Sequence, residues 1–189
     1  NATAVIVDIE DETFGLDFNL VKETIKKHKI FALQLVHVYG HPARDTEKIV
    51  KLCKKNKIKI IEDGSEALGA TFKRKKIGSF GDISVFSLRS EKMIGVGEGA
   101  MICTKKISIY NKMLLLASRN MPYRKSKYPY WKKYVSLGEG YNYLMPHVLA
   151  AIGCAQLKKI DFIVKNKRRV GKLYQSIFEI DNLQKKIKE

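Results

Sequence analysis

Acidic residues, proline, tryptophan and long apolar runs are all scarce in this chain of 189 residues. It carries 19 acidic against 36 basic side chains, with 4 prolines and 1 tryptophan. No run of about 18 apolar residues occurs, and no basic segment followed by an apolar one opens the chain, so neither a membrane-spanning helix nor a signal peptide is predicted. Because 45% of the residues are hydrophobic, the chain can still build a core. We expect a soluble globular protein.

The few cysteines predict neither a disulfide framework nor a metal site. Cys53, Cys103 and Cys154 are odd in number, far apart and set in apolar segments. We interpret them as reduced core residues, which is typical of a cytoplasmic protein. The histidines are not spaced as metal ligands either, and none has a carboxylate partner at a set distance. The sequence therefore predicts no bound metal.

The excess of positive charge, a formal +17 at pH 7, favours an anionic partner such as nucleic acid, a membrane surface or a phosphorylated small molecule. Most of the cations, however, are lysines spread along predicted helices, as in residues 22–29 and 48–55. The chain has no zinc-finger spacing, RNA-binding aromatic signature or basic-region heptads. We interpret the lysines as solvated helix faces and predict no nucleic-acid or membrane partner; a basic nucleic-acid-binding module is the alternative.

Helical and strand periodicities alternate along the chain, which predicts an α/β organisation. Residues 30–38 are continuously apolar, as expected of a parallel strand covered on both faces. Strand, helix and strand with short links form a βαβ unit. The predicted elements are, in order, a β-rich run at residues 4–9, a helix capped by Asn19 and running to about 28, a strand at 30–38, a helix from Asp45 or Thr46 to about 56, strands at 58–61, 83–88 and 100–104, and helices at 107–118, 146–157 and 160–180.

Polar residues follow two of the predicted parallel strands. Asp63 closes the strand at 58–61, and ligands in open α/β sheets gather at the carboxyl ends of strands. This predicts a ligand site at Asp63, with an acidic helix cap as the alternative. His37 and Tyr39 stand at the end of the preceding strand, where they could contact a substrate. For His37 a structural role is the stronger alternative.

Lys92 lies between a strand that ends in Ser87 and a run of glycines within residues 95–99. A lysine that forms a Schiff base must be partly neutral, which requires burial or nearby positive charge. The Ser87 hydroxyl can donate to a phosphate, and glycines let the backbone approach a flat ring. Pyridoxal phosphate acts as an electron sink while its ring nitrogen is protonated, which a facing aspartate such as Asp63 ensures. An ordinary surface lysine is the alternative.

Separated motifs carry a resemblance to a known family. They are VHVYGHPARD at 36–45, IIEDGSEALGATFKRKKIGSFGDISVFSLRSEKMIGVGEGAMICT at 60–104 and YNYLMPHVLAAIGCAQLKKID at 141–161. In these motifs and their order, the chain resembles the DegT/DnrJ/EryC1/StrS family of pyridoxal-phosphate-dependent nucleotide-sugar aminotransferases. Leu144 replaces an arginine that is common in that family, which we interpret as variation within a subgroup.

The resemblance implies a role for each motif position. Lys92 would form the internal aldimine and move a proton between cofactor and substrate. Asp63 would pair with the pyridine nitrogen, and Ser87 would hold the phosphate. Asn142 would reach the phosphate of a neighbouring subunit, since such sites form across a homodimer interface. Glu66 would lie beside the cofactor ring and the substrate.

The resemblance also implies a fold: the large domain of an aspartate-aminotransferase-like, fold type I enzyme, with a mostly parallel sheet flanked by helices. Residues 1–160 would be part of this domain, and residues 161–189 a linking helix towards a C-terminal small domain. The family's upstream phosphate motif, its ring-stacking residue and the small domain have no counterpart in the sequence. We therefore expect an incomplete large domain.

The implied reaction transfers an amino group from glutamate, through pyridoxal phosphate, to a keto-deoxysugar nucleotide for polysaccharide or glycan synthesis. Some relatives carry histidine in place of the lysine and are dehydratases, so Lys92 favours transamination. Residues 123–132, rich in aromatic and basic side chains, would form a loop at the rim that meets the nucleotide. A catalytically inert fragment of the same fold is the alternative.

Overall fold

A four-stranded sheet with flanking helices forms the centre of the computed structural model, which describes residues 2–121 and 134–178. A short 3₁₀ turn at Val38–Gly40 follows the first strand. The elements in chain order are α1 (Phe18–Lys27), β1 (Ala32–Val36), α2 (Thr46–Lys55), β2 (Lys59–Asp63), β3 (Thr71–Phe72), β4 (Lys75–Lys76), β5 (Ile83–Ser87), β6 (Ala100–Cys103), α3 (Ile107–Ala117), α4 (His147–Leu157) and α5 (Ile160–Phe178).

The sheet has the order β1-β2-β5-β6, with the first three strands parallel and β6 antiparallel to β5. This mixed, mostly parallel arrangement confirms the predicted α/β fold class. The predicted elements from α2 onward agree with the structure to within two residues at each described end. Residues 123–132, for which a rim loop was predicted, lie outside the described residues.

The N-terminal predictions need two corrections. Residues 4–9 form no strand, because a strand needs a neighbour for its backbone groups and only Ile9 bridges Leu16. The cap of α1 is Asp17 rather than Asn19. Its carboxylate accepts the backbone N–H groups of Asn19 and Leu20 at 2.8 and 3.0 Å, and a negative charge at a helix N-terminus is favourable.

The antiparallel pair of β3 and β4 is not predicted from the sequence. Two residues, Lys73 and Arg74, join these strands with positive φ angles of 47° and 67°. Tight turns of this kind usually contain asparagine or glycine. Because neither residue type occurs there, the sequence gives no turn signal.

One face of the sheet carries the main core. Leu35 and Ile60 from the strands pack with Ile49 and Cys53 from α2, and all four are almost fully buried. The opposite face is more open, since Gln34 on β1 is exposed and Ile102 on β6 is 54% exposed. The prediction that β1 is covered on both faces is therefore wrong for the described residues.

The cysteine prediction is correct in part. Cys53 is buried in the core, and all three thiols are free. Cys103 and Cys154 are exposed, contrary to expectation, because β6 is the outer strand of the sheet and α4 is packed on one side only. No helix within residues 2–121 and 134–178 is both long and apolar enough to cross a bilayer.

A second cluster anchors the loop between β5 and β6. Leu88, Ile94 and Val96 are buried in it and pack against side chains such as Met145 and Leu149. The side-chain amide of Gln156 also donates to the carbonyl oxygen of residue 95 at 2.6 Å. The loop that carries Lys92 is therefore packed against α4 and the segment that precedes α4.

The core assignment predicts different costs for two truncations at β1. Leu35→Ala should lower the free energy of unfolding by about 2–5 kcal/mol, because Leu35 has no exposed surface. Phe31→Ala, one residue before the strand, should change it by less than about 0.5 kcal/mol, since Phe31 is 84% exposed. Chemical denaturation of both variants checks this, and equal losses would contradict the assignment of this face as the core.

Candidate active site

The register of the sheet brings Asp63 and Ser87 to one edge. Asp63 is the last residue of β2 and pairs with Val85, and Ser87 lies two residues further along β5. Side chains two residues apart in a strand point to the same face. Asp63 and Ser87 therefore share the more open face at the carboxyl end of the parallel strands, whereas Glu62 and Phe86 point into the buried side.

Both carboxylate oxygens of Asp63 are held by the protein. The side-chain amide of Gln34 donates to Oδ2 at 3.1 Å, and the backbone N–H of Ser65 donates to Oδ1 at 3.0 Å. The next element after Asp63 is strand β3 and not a helix, so Asp63 is not the helix cap considered as an alternative. Sequence reasoning does not identify Gln34, although a single amide in the apolar strand ALQLV is a usable signal.

Lys92 is paired with Glu66 rather than free in solvent. Its Nζ donates to Oε1 of Glu66 at 3.1 Å, and only 19% of the Lys92 side chain is exposed. The hydrogen bond from Lys92, helped by one from the backbone N–H of Tyr39, lowers the pKa of Glu66, while the nearby charge of Asp63 opposes that change. The amine therefore lies beside the turn that follows Asp63.

The turn after β1 contacts the same carboxylate. The backbone N–H of Tyr39 donates to Oε2 of Glu66 at 3.0 Å. Tyr39 has a left-handed backbone with φ of 51°, and its ring is largely exposed. Gly40 also has a positive φ, and a Cβ there would lie 2.9 Å from the carbonyl oxygen of Glu66. Only glycine permits this close approach without strain.

Glu62 is a fully buried carboxylate at the centre of the region. Its oxygens accept hydrogen bonds from the ring of His37 at 3.2 Å and from the backbone N–H groups of Gly78, Phe80 and Gly81. Burial by itself raises the pKa of Glu62, but these four donors outweigh it and lower the pKa. Glu62 thus stays charged in the interior and fixes the loop before β5.

His37 is a structural residue and not a substrate contact. Its side chain has no exposed surface. Nδ1 accepts the backbone N–H of Ala43 at 3.2 Å, so the proton resides on Nε2, which donates to Glu62. The expectation of substrate contact is therefore corrected. The carboxylate partner that the sequence did not reveal lies 25 residues away, a separation that no local pattern encodes.

Ser87 and Asn142 occupy different parts of the structure. The Ser87 hydroxyl accepts the backbone N–H of Arg89 at 3.4 Å, a weak contact that leaves its proton for another acceptor. Asn142 is exposed and forms an isolated bridge with Ser118 at the end of α3. No described contact joins Asn142 to Lys92, which is compatible with the expectation that it serves a neighbouring subunit.

The fold and this site define a class of protein. The mostly parallel sheet flanked by helices has the fold of the large domain of fold type I aminotransferases, as its structural neighbours show. The chain belongs to the DegT/DnrJ/EryC1/StrS aminotransferase family, whose family model matches residues 1–187.

Named relatives are similar over much of the chain. A GDP-perosamine synthase of Escherichia coli O157:H7 is 37% identical over 174 residues, which is 92% of this chain and 45% of that protein. The Helicobacter pylori aminotransferase PseC, involved in pseudoaminic acid biosynthesis, superposes with a TM-score of 0.83 at 28% identity, over 93% of this chain and 45% of PseC. The chain therefore spans about half the length of these relatives.

A third similar structure was solved with the cofactor. It is an E. coli GDP-4-keto-6-deoxy-D-mannose-3-dehydratase with bound hydrated pyridoxal phosphate, with a TM-score of 0.77 and 28% identity over 92% of this chain and 46% of that one. In the present chain the donor set fits the same group. The cofactor presents an aldehyde, a ring nitrogen and a phosphate, and the site presents an amine, a carboxylate and a hydroxyl at Lys92, Asp63 and Ser87.

The lowered pKa of Glu62 predicts a loss of stability in acid. Unfolded Glu62 has a pKa near 4.5, and folding lowers it. Its stabilisation is therefore complete above pH 4.5 and is lost as the pH falls through the lower folded value. Glu62→Gln should remove this part of the pH dependence and, with buried donors left unpaired, lower stability at neutral pH by about 2–4 kcal/mol.

Denaturation of wild type and Glu62→Gln between about pH 7 and about pH 3 measures both effects. Glu23→Gln is the matched control, because Glu23 is a largely exposed carboxylate on α1. An acid profile of Glu62→Gln parallel to that of wild type would contradict the analysis.

Proposed function

We propose that this protein is a pyridoxal-phosphate-dependent aminotransferase that converts a keto-deoxysugar nucleotide into an amino sugar, with glutamate as the amino donor. The observation that carries the proposal is the 3.1 Å contact between Lys92 and Glu66, three residues after Asp63. It supports a site in which the reactive amine and the ring-nitrogen carboxylate face one bound cofactor. Relatives named as GDP-perosamine synthase and as an aminotransferase of pseudoaminic acid biosynthesis support the substrate class.

Lys92 supplies the amine that attaches the cofactor. Its amine would be the group that holds the cofactor, since an aldehyde requires an amine nucleophile. Pyridoxal phosphate would supply the electron sink that the amino transfer needs. Glu66 holds the Lys92 amine beside the site. Lys92 would also be positioned to move the proton that transamination requires.

Asp63 holds the cofactor ring in its reactive form. A carboxylate beside the pyridine nitrogen keeps that nitrogen protonated. Its two oxygens are oriented by Gln34 and the backbone of Ser65, so the carboxylate does not need to reorganise on binding. Ser87 donates its hydroxyl proton to the phosphate. Asn142 completes the phosphate site of the partner in a homodimer.

Tyr39 and Glu66 lie where a substrate would enter. The Tyr39 ring is exposed beside the Glu66 carboxylate, and together they offer an aromatic face and an acceptor for sugar hydroxyls. A soluble nucleotide sugar and three unpaired thiols are consistent with a cytoplasmic location. Residues 1–160 would contribute to the large domain and residues 161–189 would lead to a small domain.

A catalytically inert domain of the same fold is the second candidate. The test is made on this polypeptide, which spans 45% of the synthase and aminotransferase named above. Addition of pyridoxal phosphate to the purified protein separates the two. A new visible absorbance band supports the aminotransferase, and the absence of a band supports the inert domain.

Borohydride reduction of cofactor-treated protein should fix the cofactor on Lys92, because reduction makes the attachment irreversible. Lys92→Arg should abolish the labelled peptide in mass spectrometry, since a guanidinium does not condense with the aldehyde. Lys76→Arg is the control, because Lys76 is an exposed lysine on β4. Labelling that persists in Lys92→Arg and disappears in Lys76→Arg would overturn the assignment.

Asp63→Asn should weaken cofactor binding roughly 10- to 100-fold, the size expected when one charge-assisted hydrogen bond becomes neutral. The variant keeps the shape of the side chain and one of its acceptor oxygens. Equilibrium titration followed by absorbance measures the affinity. Asp161→Asn, at an exposed aspartate in the first turn of α5, is the control. Equal affinity of wild type and Asp63→Asn would contradict the role of Asp63.

A further inference from the structure

We propose that His37 and Glu62, which no substrate can touch, position the Lys92 amine through the turn at Val38–Gly40 and the Glu66 carboxylate. The proposal rests on the proposed function only in taking the Lys92 amine as the group that attaches the cofactor. The contacts that position this amine do not depend on that function. One hydrogen bond joins Glu62 to the His37 ring, and two more join the Tyr39 backbone through Glu66 to Lys92. The backbone between His37 and Tyr39 connects the two sets. If the interior pair positions the amine, its loss should change the amine locally. If it contributes only to stability, its loss should act as any core cavity does.

The series begins at a carboxylate that cannot move. Glu62 has no exposed surface and accepts four hydrogen bonds, three of them from backbone N–H groups of residues 78–81. A buried charge that loses a partner is costly, so the four donors are held together. The fourth donor, the ring of His37, is thereby fixed relative to β2 and to the loop before β5.

His37 is fixed at three separate atoms. Its backbone N–H donates to the carbonyl oxygen of Asp63 at 3.1 Å. Its ring joins Glu62 through Nε2 and Ala43 through Nδ1. The ring therefore spans from the residue preceding Asp63 to the chain that leads into α2, and the turn at Val38–Gly40 lies between these attachments.

The turn is held in a conformation that it would not adopt by itself. Tyr39 has φ of 51°, a region that costs a tyrosine free energy unless the surrounding structure imposes it. The carbonyl oxygen of His37 accepts the backbone N–H of Gly40 at 3.3 Å, which closes the turn. This conformation directs the N–H of Tyr39 to Glu66.

Glu66 links the turn to the Lys92 amine. One oxygen accepts from Tyr39 and the other from Lys92, so the carboxylate is oriented by the turn when it meets the amine. Glu66 is itself partly exposed and would be free to rotate without the contact to Tyr39. If the turn relaxes, the amine loses its fixed partner.

Two substitutions at His37 separate the two hydrogen bonds that its ring makes, one to Glu62 and one to Ala43. Glutamine can place its Nε2 where the histidine has Nε2, so His37→Gln keeps the donor to Glu62. Asparagine can place its Oδ1 where the histidine has Nδ1, so His37→Asn keeps only the acceptor for Ala43. Ile49→Ala is the matched control, because it opens a cavity in the same core without touching the hydrogen bonds. Gly40→Ala perturbs the turn and the backbone of Glu66 that it approaches, without changing the His37–Glu62 pair.

The readouts need neither cofactor nor activity. Amide hydrogen exchange at Tyr39, referenced to the amides of β5, reports the contact to Glu66 apart from global unfolding. The rate of Lys92 acetylation by acetic anhydride, referenced to Lys76 and read by mass spectrometry, reports the freedom of the amine.

We expect His37→Asn and Gly40→Ala to raise both referenced rates, with exchange at Tyr39 faster by about tenfold, as for the loss of one hydrogen bond. His37→Gln and Ile49→Ala should leave the referenced rates at the wild-type values. The proposal is overturned if Gly40→Ala leaves Lys92 unchanged, or if His37→Asn behaves as Ile49→Ala does. Failure of cofactor labelling at Lys92 would instead count against the proposed function and leave these rates as they are.

Discussion

The requirement that a buried carboxylate be fully hydrogen-bonded governs the arrangement of this site. Glu62 has no access to water, and its charge is tolerated because His37 and three backbone N–H groups surround it. The donors come from two pieces of the site: His37 precedes the turn after β1, and the three backbone N–H groups belong to the loop that leads into β5. Satisfying one interior charge thus fixes the strand that ends in Ser87 and the turn that reaches Glu66, while Asp63, the next residue, is directed to the opposite face.

The outer part of the site consists of groups that are oriented by one or two neighbours each. Asp63 is held by Gln34 and a backbone N–H, and Lys92 is held by Glu66. The pairing lowers the pKa of Glu66, so a charged carboxylate faces the amine across a wide pH range. The Lys92 amine is largely enclosed and already paired, so it is oriented before any ligand binds. Such preorganisation reduces the conformational entropy that is lost on binding.

Several site residues could be identified from the sequence, and others could not. Asp63 follows a predicted strand at the sheet edge where ligands bind, and the chemistry of pyridoxal phosphate and the family resemblance joined Ser87 and Lys92 to it. Glu66 and Tyr39 were associated with the site and do meet through a backbone N–H. The pairing of His37 with Glu62 joins residues 25 positions apart. Local periodicity carries no information about such a contact, so the sequence favoured a structural role for the histidine without naming its partner.

The sequence by itself determined the α/β class, the main strands and helices, and the family, because apolar periodicity and motif order are properties of the chain read in line. Only the tertiary structure decided which face of the sheet is covered, that residues 4–9 lack a strand partner, and that Cys103 and Cys154 are exposed. Burial depends on which elements meet in space, and hydrogen bonds of an interior carboxylate depend on backbone groups that every sequence contains. For this reason Glu62 became recognisable as the centre of the site only once the chain was folded.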